Sequence, residues 1–150
     1  MIDDIRKEPA KRVTTFDHAG AENGSLIELY KDGAKTTAYL TAASPGAFKG
    51  YHLHRVRAAR YVCVRGRMRI ILYSLRTGPD GKRAWIREEH LLDASTPERL
   101  FIPNDVATGL ENVGEEEGWL INYPDPPYDP ALKDEQVEYS QAELEAGMVK

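Results

Sequence analysis

Short apolar segments, each closed by turn residues, recur along most of this chain. β-Branched and aromatic residues dominate these segments, and Gly, Pro, Asp or Ser residues follow them. Strands at this spacing, with no long stretch of helical period between them, are typical of an all-β sandwich or barrel. The predicted strands are Ser25–Tyr30, Thr36–Thr41, Arg60–Val64, Met68–Leu75, Ala84–Leu92, Arg99–Ile102, Val106–Glu111 and Trp119–Tyr123.

The pattern changes after the last predicted strand. Repeated prolines within Pro124–Pro130 exclude a central strand there, because proline cannot donate a ladder hydrogen bond. Ser140 and Glu143 have capping-box spacing, which predicts one short C-terminal helix. We therefore expect a single domain over residues 1–150, with an N-terminal arm at 1–21, a barrel at 22–123, and a proline-rich tail and short helix at 124–150.

Size and composition are those of an ordinary globular domain. The chain has 150 residues, of which 41% are hydrophobic and 29% charged, so it is long enough to bury a sizeable core. Its longest aliphatic cluster, Ile70–Leu72, is far shorter than a membrane span, and the N-terminus lacks the apolar segment of a signal peptide. The single Cys63 cannot form an intramolecular disulfide. These features predict a cytoplasmic protein without membrane contacts.

Charge is distributed unevenly along the chain. The formal net charge is −4, which argues against a general nucleic-acid binder. Yet residues 33–79 include no Asp or Glu, while they hold these basic residues: Lys35, Lys49, Arg55, Arg57, Arg60, Arg65, Arg67, Arg69 and Arg76. A basic segment inside an acidic protein indicates a binding site for a small anion.

Two histidines lie near the centre of this basic segment. Alternation along a strand places His52 and His54 on one face, and Arg55 and Arg57 on the other. We therefore expect the two imidazoles to line a pocket and the two arginines to lie outside it. The same alternation favours a solvated outer sheet face for three further arginines: Arg65, Arg67 and Arg69.

Four segments occur in the order and spacing of a known family: residues 23–30, 44–54, 72–76 and 102–110. On these segments the chain resembles the cupins, and among them the dTDP-4-dehydrorhamnose 3,5-epimerase family. The resemblance extends from about residue 22 to about residue 138. It implies a jelly-roll barrel, the double-stranded β-helix of cupins, and a homodimer in which the N-terminal strand of each subunit joins the partner's sheet.

The resemblance also implies a reaction. In this family a His removes a proton next to a sugar ketone, and a Tyr returns a proton to the opposite face. An imidazole is a usable base at neutral pH, and a phenol can donate a proton to a carbanion. His52 takes the position of the catalytic base. The implied substrate-binding residues are Glu28, delivered by the neighbouring subunit, and Lys49, His54, Arg60, Arg76, Thr108, Asn122 and Tyr128.

The chain departs from the family at several positions. The Tyr that serves as acid falls on Asn122, which has no dissociable proton, and the adjacent Tyr123 is expected to face away. The His of the second cupin motif is Thr108, and the pocket Lys is Ala59. Longer members orient the base with a carboxylate from a C-terminal extension, which this chain is too short to contain. Two histidines alone rarely hold a metal, so neither a metal nor another cofactor is expected.

Three hypotheses for function follow. The first is an epimerase or isomerase of nucleotide-sugar metabolism, acting on a 4-keto-6-deoxy sugar by proton abstraction at His52. The missing acid opens a second hypothesis, a barrel that binds a sugar nucleotide or another small anion without catalysis. The third is a metal-dependent cupin enzyme such as an oxygenase.

Overall fold

The computed structural model describes residues 4–16, 20–27, 29, 38–126, 131–132 and 135–150. Its strands are β1 (Arg6–Pro9), β2 (Arg12–Phe16), β3 (Glu22–Ile27), β4 (Tyr39–Ala43), β5 (Phe48–His54), β6 (Ala59–Arg65), β7 (Arg67–Thr77), β8 (Arg83–Asp93), β9 (Glu98–Ile102), β10 (Val106–Asn112), β11 (Gly118–Asn122) and β12 (Gln136–Glu138). A single short helix, α1, spans Gln141–Glu145 in the described part of the chain.

Two five-stranded sheets form the body of the molecule. Their strand orders are β1-β9-β6-β11-β4 and β12-β5-β10-β7-β8, and neighbouring strands run antiparallel. Strands β2 and β3 pair with each other in a separate two-stranded sheet. The all-β prediction is therefore confirmed. Among the described residues, no helix is long and apolar enough to cross a membrane.

Alternation along β7 supplies side chains to two hydrophobic cores. Ile70 and Leu72 point between the two large sheets and are fully buried. Ile71 and Tyr73 point to the opposite face of their sheet, where they join a second cluster that includes Leu144 of α1. Burying a large apolar side chain stabilises the fold by roughly 1.5–3 kcal/mol. The C-terminal helix is therefore part of the packed structure.

The predicted capping box of α1 is confirmed. The Ser140 hydroxyl accepts a hydrogen bond from the Glu143 N–H at 3.1 Å, and the Glu143 carboxylate accepts one from the Ser140 N–H at 2.8 Å. These bonds satisfy two backbone donors that an uncapped helix start would leave without partners.

The tail ahead of α1 returns to the strand that carries the two histidines. Strand β12 pairs with β5, so that Gln136 lies opposite His54 and Glu138 lies opposite His52. On its other side β5 pairs with β10, where Thr108 lies opposite His52. Strand β5 is therefore held between two neighbours, and its histidines are fixed in register with both.

Gly50 permits the close approach of β5 to β10. Its φ is +127°, a conformation that side chains rarely allow. A Cβ atom at this position would lie 2.6 Å from the Thr108 carbonyl oxygen, and neither backbone could yield without disturbing the ladder. A glycine is therefore required two residues before His52.

The prediction of a solvated outer face at Arg65, Arg67 and Arg69 is confirmed. We call these residues the outer arginines. Each has an acidic partner from a neighbouring strand or turn, at N–O distances of 3.3 to 3.4 Å. The partners are Glu116, Asp93 and Glu111, respectively. The positive charges of the outer arginines are thus balanced by carboxylates from other parts of the chain, although residues 33–79 contain no Asp or Glu.

Candidate functional site

A cavity of about 210 Å³ opens between the two large sheets. A wider depression of about 500 Å³ shares His52, His54, Arg57 and Tyr61 with it, so the two form one site, which we call the cavity. Its inner part is lined by Lys49 and Thr108 as well, and its outer part by Tyr39, Asn122 and Gln136. A site with cations, imidazoles and hydroxyl groups suits an anionic, oxygen-rich ligand.

Several residues predicted for the site line this cavity. They are Lys49, His52, His54, Thr108 and Asn122. The predictions for Glu28 and Tyr128 fall outside the described residues.

Arg60 and Arg76 are not among the lining residues. Strand β6 alternates, so Tyr61 faces the cavity while Arg60 faces away, with its Nη2 atom 3.1 Å from Asp125 Oδ2. Arg76 lies on β7 beyond Ser74, the last residue of that strand that pairs with β10. The structure therefore does not bring these two arginines to the histidines.

Arg57 lines the cavity, although strand alternation predicted the opposite face. Strand β5 ends at His54 and the chain bends directly after it, so the alternation does not extend to Arg57. The guanidinium of Arg57 has its Nη2 atom 3.1 Å from His54 Nδ1 and its Nε atom 3.2 Å from Glu135 Oε2. The prediction for Arg57 was wrong because the strand is shorter than its sequence pattern suggests.

Glu135 places a buried carboxylate beside this arginine. Its side chain is only 6% exposed, and its Oε1 atom accepts hydrogen bonds from the backbone N–H groups of Arg57 and Val56, at 2.9 and 3.3 Å. Burial alone would raise the pKa of Glu135, but these bonds and the contact with His54 lower it to about 2. The carboxylate is therefore ionised at neutral pH. Glu135 thus brings an ionised carboxylate to a pocket histidine.

The two histidines differ in how firmly they are held. His54 Nδ1 lies 3.0 Å from Glu135 Oε2, and the His54 side chain is 27% exposed. His52 Nδ1 lies 3.7 Å from Glu138 Oε1 and 3.3 Å from Gln136 Nε2, and the His52 side chain is 42% exposed. His54 thus has the closer and more deeply buried carboxylate. Among the described residues, no three His, Cys, Asp or Glu side chains are grouped as metal ligands.

The environment of His54 favours the neutral imidazole. Burial lowers its pKa, Glu135 opposes this, and the nearby Arg57 lowers the pKa further. Each neutral tautomer has a partner, because Nδ1–H can donate to Glu135 and an unprotonated Nδ1 can accept from Arg57. In the tautomer that donates to Glu135, Nε2 carries a free lone pair. That form can act as a base.

Asn122, to which the resemblance in sequence assigned the position of an acid Tyr, lies between two tyrosines. Strand β11 pairs with β4 and β6, which places Tyr39 and Tyr61 directly opposite Asn122 on its two sides. Residues opposite each other on neighbouring strands share a sheet face. Sequence reasoning considered only tyrosines near Asn122 in the chain, and so missed both. Cross-strand register is the signal that brings them to the site.

The sequence matches the family described as polysaccharide biosynthesis C-terminal domain, over residues 19–136. The chain belongs to this family. A relative is the probable low-salt glycan biosynthesis epimerase Agl13 of Haloferax volcanii, which is 25% identical over 122 residues, or 77% of each chain.

Solved structures share the fold of this family member. A dTDP sugar isomerase from Desulfovibrio desulfuricans G20 has a TM-score of 0.76 at 16% identity, over 93% of this chain and 86% of that one. A dTDP-4-dehydrorhamnose 3,5-epimerase from Sulfolobus tokodaii has a TM-score of 0.68 at 17% identity, over 92% and 78%. These likenesses in fold confirm the predicted cupin jelly roll.

Proposed function

We propose that this protein is a sugar epimerase or isomerase that removes a proton next to the ketone of a nucleotide-linked 4-keto-6-deoxy sugar. The observation that carries the proposal is a histidine in a cavity, 3.0 Å from a buried carboxylate, and burial lowers the pKa of this histidine. The choice of a nucleotide sugar is supported by the relatives, since Agl13 is described as a probable glycan biosynthesis epimerase and the Desulfovibrio protein as a dTDP sugar isomerase. The 4-keto-6-deoxy form is what the family resemblance implies.

The cations of the cavity support this chemistry. Proton removal next to a ketone builds negative charge on the ketone oxygen, and fixed positive groups stabilise that charge. Arg57 is held by Glu135 at the edge of His54. Lys49 Nζ donates to the Ala42 carbonyl at 2.8 Å, and two of its N–H groups remain for substrate oxygens. We assign enolate stabilisation to Arg57 and anion binding to Lys49.

Both histidines are candidates for the base. The family resemblance favours His52, whereas burial and the distance to a carboxylate favour His54. A base is most effective when a second group fixes its tautomer and orientation. We therefore place the base on His54 and give His52 a role in binding the sugar, with Thr108 opposite it and Asn122 on the facing sheet.

Solvent exchange tests the proposal. The protein is incubated in D₂O with a dTDP-linked 4-keto-6-deoxy sugar, and deuterium at the carbons next to the ketone is followed by NMR. We expect exchange in the wild type and a loss of roughly 100-fold or more in His54→Ala, in line with general-base catalysis. His90→Ala is the matched control, because His90 contacts Glu88 within β8 and does not line the cavity.

Two outcomes would contradict the assignments. An absence of exchange above background in the wild type would refute the proposed function. A loss of exchange in His52→Ala but not in His54→Ala would return the role of base to His52.

A second function is favoured by Asn122, which replaces the family's acid. In that alternative the cavity binds a sugar nucleotide or a small anion without turnover. Titration calorimetry with dTDP and UDP sugars separates the two, because saturable binding without deuterium exchange would support a binding protein and contradict an enzyme.

We also propose a homodimer in which the β2–β3 hairpin of each chain pairs with the partner's sheet. Strand β4 forms the edge of its sheet, with Leu40 exposed on it, and the β2–β3 hairpin lies in a sheet of its own. An exposed strand edge is a ready site for pairing with a second chain. Glu28 directly follows β3 in sequence, so hairpin exchange would deliver it to the partner's cavity.

Light scattering tests the assembly. The wild type should have twice the 16.9 kDa mass of the chain. Leu40→Glu, which places a charge on the edge strand, should be monomeric, while Ile86→Glu on the exposed strand β8 should not change the mass. A monomeric wild type would contradict the proposal.

A further inference from the structure

We propose that Tyr61 donates the proton that completes epimerisation, in place of the tyrosine that Asn122 replaces. This inference rests on the proposed epimerase function. It adds a catalytic residue that neither the sequence motifs nor the family resemblance assigned.

The position of Tyr61 carries the inference. It lies on β6 directly opposite Asn122 of β11, and the two side chains share the sheet face that lines the cavity. Tyr61 lines the inner and the outer part of the cavity, together with His54 and Arg57. The missing acid is thus replaced from the adjacent strand.

The electrostatics suit a proton donor. Burial raises the pKa of Tyr61 to about 12, while the positive charge of Arg57 acts in the opposite direction. At neutral pH the hydroxyl therefore keeps its proton until a strong base accepts it. Arg57 then faces the phenolate that is formed, and offsets its charge.

The proton balance of the reaction closes without a further reactant. The histidine takes the proton as the C–H bond breaks, and the electron pair forms the enolate. The O–H bond of Tyr61 then breaks while a new C–H bond forms on the opposite face of the same carbon, and the enolate returns to the ketone. Solvent restores the proton of Tyr61 and removes the proton of the histidine, which completes the cycle.

Tyr39 provides a matched control. It also lies opposite Asn122, but it lines only the outer part of the cavity and is 40% exposed. Tyr61→Phe and Tyr39→Phe therefore remove the same group from two positions that flank the same residue.

The experiment separates proton removal from proton delivery. Each variant is incubated with the dTDP-linked keto sugar in D₂O, and NMR follows deuterium in the unchanged substrate and in the epimer. In Tyr61→Phe we expect deuterium in the unchanged substrate within about threefold of the wild type, because the base remains. Formation of the epimer should fall by roughly 100-fold or more, since the acid is lost. Tyr39→Phe also alters the cavity lining, and we expect it to lower epimer formation by less than about tenfold.

Each contrary result has a distinct meaning. Normal epimer formation by Tyr61→Phe, with thermal unfolding unchanged, would overturn the role of Tyr61 alone. Loss of the epimer in Tyr39→Phe but not in Tyr61→Phe would transfer that role to Tyr39 and overturn the inference. A wild type that incorporates no deuterium would overturn the proposed function and this inference together.

Discussion

This molecule contains two sets of arginine–carboxylate pairs. Both consist of the same chemical groups, but they differ in how deeply they are buried. The outer arginines have side chains 39% to 51% exposed, and their partners also reach solvent. Arg57 is 14% exposed and its partner Glu135 only 6%. The outer pairs neutralise a surface, whereas the buried pair fixes a histidine in a cavity. Burial, more than the number of charges, distinguishes a site from an ordinary basic face.

The difference has a physical cause. Exposed ion pairs contribute about 0–1 kcal/mol, because water already solvates both charges and the side chains lose entropy when they pair. In a buried pair the desolvation cost is large, and removal of one partner leaves an uncompensated charge that costs about 3–5 kcal/mol. The same substitution should therefore have different consequences in the two sets.

The largest expected effect is that of Glu135→Gln. This change keeps the shape of the side chain and removes the charge that faces Arg57. We expect it to lower the free energy of unfolding by about 3 kcal/mol, measured by urea denaturation. Glu116→Gln, at an outer arginine, is the matched control and should change stability by less than about 1 kcal/mol. Equal effects at the two positions would contradict the distinction between buried and outer pairs.

Acid should weaken the buried pair in a defined window. The folded-state pKa of Glu135 is about 2, below its ordinary value of 4.5, so its contribution is present above 4.5 and lost as the pH falls toward 2. At 1.36 kcal/mol per unit, the contribution is on the order of 3 kcal/mol. The stability difference between the wild type and Glu135→Gln should therefore narrow over this window. A difference that stays constant in urea titrations would show that Glu135 is not the titrating group.

Protonation of His54 should also lower the stability of the fold, and it should do so at a higher pH than protonation of Glu135. Burial lowers its pKa, so the folded state resists protonation and stability should begin to fall below the ordinary value of 6.5. This loss precedes that of Glu135, because the ordinary pKa of a histidine is higher than that of a carboxyl.

A smaller effect is expected of Arg57→Lys. Lysine keeps the positive charge but lacks the planar fork that reaches His54 and Glu135 together. We expect a loss of roughly 1–2 kcal/mol in urea denaturation, the range of one hydrogen bond to a charged group. Arg69→Lys, on the outer face, should lower the free energy of unfolding by a smaller amount. If Arg57→Lys left the free energy of unfolding unchanged, the geometry of the guanidinium would not contribute to stability at the site.

The sequence predicted the features that depend on local pattern. Strand alternation identified the outer arginines and placed both histidines in the cavity, and the capping spacing located α1. It did not predict Arg57, because the alternation rule fails at the end of β5. It also missed Glu135, which is 81 residues from His54 in the chain, and Tyr61, whose relation to Asn122 depends on strand pairing. These contacts form only when the tail and the two sheets come together.

The smallest expected effect lies on the outer face and depends on salt. Arg67→Ala removes the partner of Asp93 and should change the free energy of unfolding by less than about 1 kcal/mol at low ionic strength. Near 1 M salt, where the Debye length is about 3 Å, this effect should nearly vanish. The effect of Glu135→Gln should persist at the same salt concentration, because ions cannot enter between buried groups. If salt abolished both effects, Glu135 would be solvated, and the carboxylate that holds His54 would resemble any surface acid.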